Sequence, residues 1–132
     1  MSNPKLLIVD DDPGIRSQLK WGLDDYDVIT ADSRLNAMEL FDLHQPPLVT
    51  LDLGLPPDAE GTTEGFAALQ AILSKAPDTR VVIVSGSEEL GNAEKAIDIG
   101  AFDFYPKPVE IDRLVNIIEK AYIDFIQNTQ GK

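Results

Sequence analysis

The sequence predicts a doubly wound α/β fold, a five-stranded parallel sheet with helices on both faces. Five short apolar runs recur along the chain, at Lys5–Val9, Asp27–Thr30, Leu48–Leu51, Arg80–Val84 and Phe102–Tyr105. Segments of helical period separate them, and strict alternation of this kind implies a parallel sheet covered by its crossover helices. Acids stand at the ends of the first and third runs, as Asp10–Asp11 and Asp52, and Lys107 follows the fifth.

Each element has its own signals. Leu6-Leu7-Ile8-Val9 is wholly apolar, as a central strand covered on both faces should be. Asp12 is placed to cap a first helix with Pro13 at its first position, and Ile15, Leu19 and Leu23 mark the buried face. Trp21 lies about 200° around that helix from Leu19 and is expected to be partly exposed, as surface packing or as a partner contact. Asp24, Asp25 and Asp27 read most simply as solvated loop acids. Ser33 can cap a second helix carrying Ala37, Leu40 and Phe41. His44, the only histidine, falls near its end before Pro46 and is expected to be exposed and not catalytic. Phe66, Leu69, Ile72 and Leu73 mark a third helix that stops near Pro77. Ala93, Ala96 and Ile97 mark a fourth, ended by Gly100.

The last helix carries Ile111, Leu114, Val115, Ile118, Ala121, Tyr122, Phe125 and Ile126 at steps of three and four. Its first half suits core packing. Residues 122–126 have little sheet left to cover, which predicts an extension that pairs with another chain or leads toward an output domain. The expected division is a domain over residues 1–124 and an extension or linker over residues 125–132.

Right-handed crossovers leave few ways to order such strands. The favoured order is the flavodoxin-like 2-1-3-4-5, in which ligands bind beyond the carboxyl ends of strands 1 and 3. Those ends carry Asp10–Asp11 and Asp52.

At 132 residues the chain is long enough for one domain with a substantial core. A hydrophobic content of 43% and a charged content of 26% fit a globular protein. The net charge of −12 disfavours direct binding to nucleic acid. There is no cysteine, so disulfides and thiolate metal sites are excluded. No apolar run approaches the ~20 residues of a membrane-spanning helix. Acids follow Val9 directly, so the first segment lacks the shape of a signal peptide. The expected location is cytoplasmic, without a membrane partner.

Taken singly, the polar residues have plain readings. Asp10 and Asp11 can be helix N-terminal acids, Asp52 a loop acid, Ser85 a helix cap, Lys107 part of a turn before Pro108, and Phe104 a core aromatic. Together they fit one task. Three nearby carboxylates repel one another, and a hard divalent cation removes that penalty. Mg²⁺ prefers oxygen ligands and takes one or two carboxylates. An ammonium and a hydroxyl facing the metal would surround a phosphoryl group, the arrangement phosphoryl transfer needs. A carboxylate that attacks phosphorus yields an aspartyl phosphate.

Four stretches carry a family resemblance: Leu-Leu-Ile-Val-Asp-Asp-Asp at 6–12, Leu-Asp-Leu-Gly-Leu-Pro at 51–56, Ile-Val-Ser-Gly at 83–86 and Tyr-Pro-Lys-Pro at 105–108. With them the chain resembles the receiver domain of two-component response regulators over roughly residues 4–124. The resemblance implies that Asp52 is the phosphoacceptor and that Asp10 and Asp11 hold Mg²⁺, Asp11 more directly. It implies that Gly54 gives its backbone carbonyl to the metal, that Ser85 and Lys107 bind the phosphoryl group, and that Phe104 is a switch aromatic coupled to Ser85. The Lys107–Pro108 bond is expected to be cis. A sensor histidine kinase is the implied partner. A homodimer through helix 4, strand 5 and helix 5 and control of a transcriptional output domain are implied as well.

One stretch departs from the pattern. Residues 57–65 intervene before Glu64-Gly65-Phe66, which reads as the usual start of the third helix. The loop is then about four residues longer than relatives have, an addition that costs little chain entropy. It is either a tolerated surface insertion or a changed rim around Asp52. With the Thr50–Pro57 stretch and the Gln18–Trp21 segment, it also resembles receivers of enhancer-binding-type regulators associated with PEP-CTERM protein sorting. Two other readings compete: a degenerate receiver that serves only as an interaction module, and an aspartyl-nucleophile phosphatase. The phosphatase pattern needs a second acid where Gly54 stands.

Overall fold

The computed structural model describes residues 3–86 and 91–130. Strands β1 (Lys5–Val9), β2 (Asp27–Ala31), β3 (Leu48–Leu51), β4 (Arg80–Ser85) and β5 (Asp103–Pro106) alternate with helices α1 (Pro13–Gly22), α2 (Arg34–His44), α3 (Thr63–Lys75), α4 (Asn92–Ile99) and α5 (Ile111–Gln130). The strands are parallel in the order β2-β1-β3-β4-β5, as the sequence predicts. No described helix is long and apolar enough to cross a membrane.

Alternation along each strand divides the core in two. Leu7, Val9, Val49, Leu51, Val81 and Ile83 face one side, against Ala37, Phe41, Leu69, Ile72 and Ala96 of α2, α3 and α4. Leu6, Ile8, Leu48, Val82 and Val84 face the other, against Leu19, Leu114, Ile118 and Ala121 of α1 and α5. Each fully buried Leu, Ile or Val contributes on the order of 2 kcal/mol, so β1, β3 and β4 hold the sheet rigid beneath its polar edge.

The expected caps form. Asp12 accepts a hydrogen bond from the Gly14 amide at 2.8 Å, with Pro13 opening α1. Ser33 accepts from the Asn36 amide at 3.2 Å. The Lys107–Pro108 bond is cis, as is Pro56–Pro57.

Several expectations need correction. Strand β5 begins at Asp103 and not at Phe102, because Phe102 makes a single bond to the Val81 carbonyl before the ladder starts at Val82–Asp103. Strand β4 runs on to Ser85, which pairs with Pro106. His44 is half-buried and not exposed, since Gln45 turns the chain at a positive φ of 46° into the buried Pro46. In α4 only Ala96 of the three marker residues is buried, and Ile97 is exposed. That eight-residue helix lies over the outer strand and buries a narrow stripe through Asn92 and Ala96. Trp21 is 81% exposed, more than partly, because Leu19 and Leu23 take up the buried face of its segment.

The end of α5 also finds more to cover than expected. Phe125 and Ile126 are half-buried. Phe125 and Thr129 line a hollow with Phe41, Pro46, Pro47 and Ala76, beneath the N-terminal ends of β3 and β4. Arg80 donates to Asp124 at 2.7 Å. Ile123 remains exposed. The last two residues of the expected extension lie outside the described residues.

Candidate functional site

The parallel register sets two carboxylates side by side. Val9 pairs with Leu51, and the Asp52 amide donates to the Val9 carbonyl at 2.9 Å. Asp10 and Asp52 therefore leave neighbouring strands at the same level. Both are buried, at 2% and 6% exposure. Asp10 is fixed on every side: its amide donates to the Ala31 carbonyl at 3.0 Å, and its carbonyl accepts from Arg16 at 2.8 Å. Its Oδ1 accepts from the Asp12 amide at 2.9 Å and its Oδ2 from Lys107 Nζ at 2.8 Å. Asp52 Oδ1 accepts from the Gly54 amide at 3.2 Å, and its Oδ2 lies 3.4 Å from Lys107 Nζ.

Burial pushes the Asp52 carboxyl up to about 6, and the charge of Asp10 adds to the rise. Lys107 and the Gly54 amide oppose it without cancelling it. Burial works against the Lys107 ammonium too, but its hydrogen bond to Asp10 and the charges of Asp52 and Asp10 hold it above the usual lysine value.

Asp11 completes a trio. One oxygen each from Asp10, Asp11 and Asp52 lies within 4.8 Å of the others. An all-oxygen, anionic donor set of this size suits a hard divalent cation such as Mg²⁺, which keeps waters in its remaining positions. The excess of negative charge over the single Lys107 ammonium is what such an ion would relieve.

The trio opens onto a pocket of about 250 Å³. Among the described residues, Asp11, Asp52, Ser85, Gly86 and Lys107 line one part of it. Ser85 is 1% exposed, and its carbonyl accepts from the Lys107 amide at 2.9 Å, which ties the lysine's backbone to the strand end. Every residue expected at the site except Phe104 and Asp10 lines this pocket, and Asp10 sits directly behind it. Phe104 stands apart: half-buried in β5, it packs on the α2–α4 core and lines a separate hollow with Ala93 and Ile97.

The other part of the wall is Gly54 with Ala59, Glu60 and Gly61 of the long loop, so the loop lies at the rim of the Asp52 pocket, the second of its two sequence readings, although none of its residues was singled out as a site residue. The loop is folded on itself, with the Asp58 amide donating to Leu55 and the Gly61 amide to Asp58, both at 3.0 Å. A Cβ on Gly54 would run into the Ala59 carbonyl, and one on Gly65 into the Leu53 backbone. Glycines at 54 and 65 bracketing the added residues were the available signal, because close backbone approach needs them. Arg16 holding the Asp10 carbonyl was missed as well, and no local pattern marks it.

The comparisons with known proteins agree with this geometry. The chain is 37% identical to the chemotaxis protein CheY of Listeria monocytogenes serovar 1/2a, over 89% of this chain and 97% of that one. It is 36% identical to the nitrogen assimilation regulatory protein NtrX of Azorhizobium caulinodans over 88% of its length, but spans only 25% of that protein. The crystal structure of the receiver domain of NtrX from Brucella abortus superposes with a TM-score of 0.79 at 34% identity, covering 88% of this chain and 96% of that one. Residues 6–119 match the response regulator receiver domain family, and on that match, with the acid trio and lysine where β1, β3 and β5 deliver them, the chain belongs to the receiver domains of two-component response regulators.

Proposed function

We propose that the domain is a phosphoacceptor switch in which Asp52 takes a phosphoryl group from a sensor histidine kinase. The observation that carries this is the contact set of Asp52: a buried carboxylate between Lys107 and the Asp10–Asp11 pair, open to the pocket. An Asp52 oxygen attacks phosphorus, the bond from phosphorus to the imidazole nitrogen breaks, and the imidazole leaves with the electron pair. Lys107 exchanges its hydrogen bonds with Asp10 and Asp52 for a phosphoryl oxygen. Ser85, at the end of β4, binds a second oxygen. Asp10, Asp11, Asp52 and the Gly54 carbonyl would hold Mg²⁺, which supplies positive charge against the phosphoryl oxygens. The burial that raises Asp52 makes its free carboxylate costly, so charge-neutralising partners are favoured.

The signal leaves through Ser85 and Phe104. Phe104 lies half-buried at the boundary between the core and the hollow beside α4, from which a switch would carry it inward. Drawing Ser85 toward the phosphoryl group favours that inward position. The α4–β5–α5 face then changes shape for a second copy or an output domain. The NtrX relative, a regulatory protein of which this chain matches a quarter, supports a role within a longer regulator. Residues 125–132 serve as the link, and the narrower likeness to PEP-CTERM-associated regulators rests on residues 50–57 and the long loop. The expected location is cytoplasmic.

The test is incubation with acetyl phosphate and Mg²⁺, read by intact mass. Wild type gains one phosphoryl group and Asp52→Asn gains none. Modification that survives Asp52→Asn, or a wild type that stays unmodified, sinks this reading.

A further inference from the structure

We propose that Glu60, on the folded loop between β3 and α3, is a specificity-determining residue whose carboxylate repels small, multiply charged phosphodonors from the Asp52 pocket. The inference rests on Asp52 being the phosphoacceptor.

The loop is a built wall and not a loose excursion. Successive backbone bonds close its turns at Asp58 and Gly61, and the Ala59 carbonyl presses on Gly54, where only a glycine fits. This places Ala59, Glu60 and Gly61 in the lining of the same pocket as Lys107. Glu60 is exposed, so its acidic side chain meets solutes that approach from solution. Lys107 is the one cation lining the pocket among the described residues, and Asp10 and Asp52 already engage it. A donor entering from solution thus meets an added negative charge at a pocket whose ammonium is already engaged. The field of a chain carrying −12 acts in the same sense.

The consequence depends on donor charge. Acetyl phosphate arrives as a dianion: the Asp52 oxygen–phosphorus bond forms, the bond to the acetyl oxygen breaks, and acetate leaves with the electron pair. Repulsion between two charges and one at roughly 8 Å in water, screened by salt, slows this encounter about threefold. A phosphoryl group presented on a protein brings docking contacts that outweigh the same repulsion. Hydrolysis of the aspartyl phosphate uses neutral water and is unaffected.

The experiment compares wild type, Glu60→Gln and Glu60→Lys at saturating Mg²⁺, following the second-order rate of Asp52 phosphorylation by intact mass. At about 20 mM salt the Gln variant should react about threefold faster with acetyl phosphate and the Lys variant faster still, and the rates should converge near 0.5 M. Phosphoramidate, with less charge, should show a smaller effect, and the dephosphorylation rates should match. Equal rates at low salt, or a gain that persists at high salt, overturns the electrostatic role of Glu60 while leaving Asp52 as acceptor. If wild type itself is not modified at Asp52, both readings fall.

Discussion

Lys107 sits closer to Asp10 than to Asp52: its ammonium is 2.8 Å from the former carboxylate and 3.4 Å from the latter. Without metal the lysine is thus chiefly the counterion of the most deeply buried acid. Removing it leaves Asp10 buried and uncompensated, a change that costs about 3 kcal/mol in such settings. Lys107→Met should lower urea stability by that order in chelator. Added Mg²⁺ should restore more stability to the variant than to wild type. An equal loss with and without Mg²⁺ would contradict the counterion role.

The raised Asp52 sets a pH dependence with a definite sign. Its folded value of about 6 lies above the unfolded value of ~3.9, so the native state holds the proton more tightly. Its contribution to stability is full below pH ~4, declines as pH rises, and is lost above about 6. In metal-free protein, Asp52→Asn should therefore be more stable than wild type at pH 7 by on the order of 2 kcal/mol, and the difference should shrink toward pH 4. Denaturant midpoints across that range give the check. A difference that widens on acidification would show that Asp52 is stabilised as its anion.

Thr50 carries a different cost. Its hydroxyl is buried in β3 without a hydrogen-bond partner among the described residues. Valine has the same shape and needs none. Thr50→Val should raise stability by about 1 kcal/mol, measured by thermal unfolding. Destabilisation would show that the hydroxyl is satisfied.

Gly65 lies in the first turn of α3 where the chain passes the Leu53 backbone, and its amide donates to the Leu53 carbonyl at 3.2 Å. A methyl group there must push one segment off the other. Gly65→Ala should cost about 2 kcal/mol or more despite alanine's better helix propensity. A neutral result would show that the loop junction is pliable.

The strands were legible because their runs are apolar throughout, and β-α alternation with handed crossovers then fixed the order of the sheet. The acids were legible because burial makes a strand-end carboxylate costly, and Asp10, Asp11 and Asp52 meet as that argument requires. What escaped was set by contacts between distant segments. The exposure of Ile97 depends on how much of α4 the outer strand covers, and the cover over Phe125 comes from loops before β3 and β4. Neither leaves a periodic mark. Glu60 could be placed in the long loop but not at the pocket, because the direction of the loop is decided by the Ala59–Gly54 contact.

Strand β4 joins two ends of the molecule. Ser85 closes its pocket end, and Arg80 opens the other, where it grips Asp124 of the last helix. At about 3.3 Å per residue the strand is a stiff rod less than 20 Å long, buried along its length. The last helix is therefore tied to the same rod that carries Ser85 at the pocket. A tilt of that rod at the acid end has a lever arm at the base, and a segment that follows α5 would inherit its direction from there.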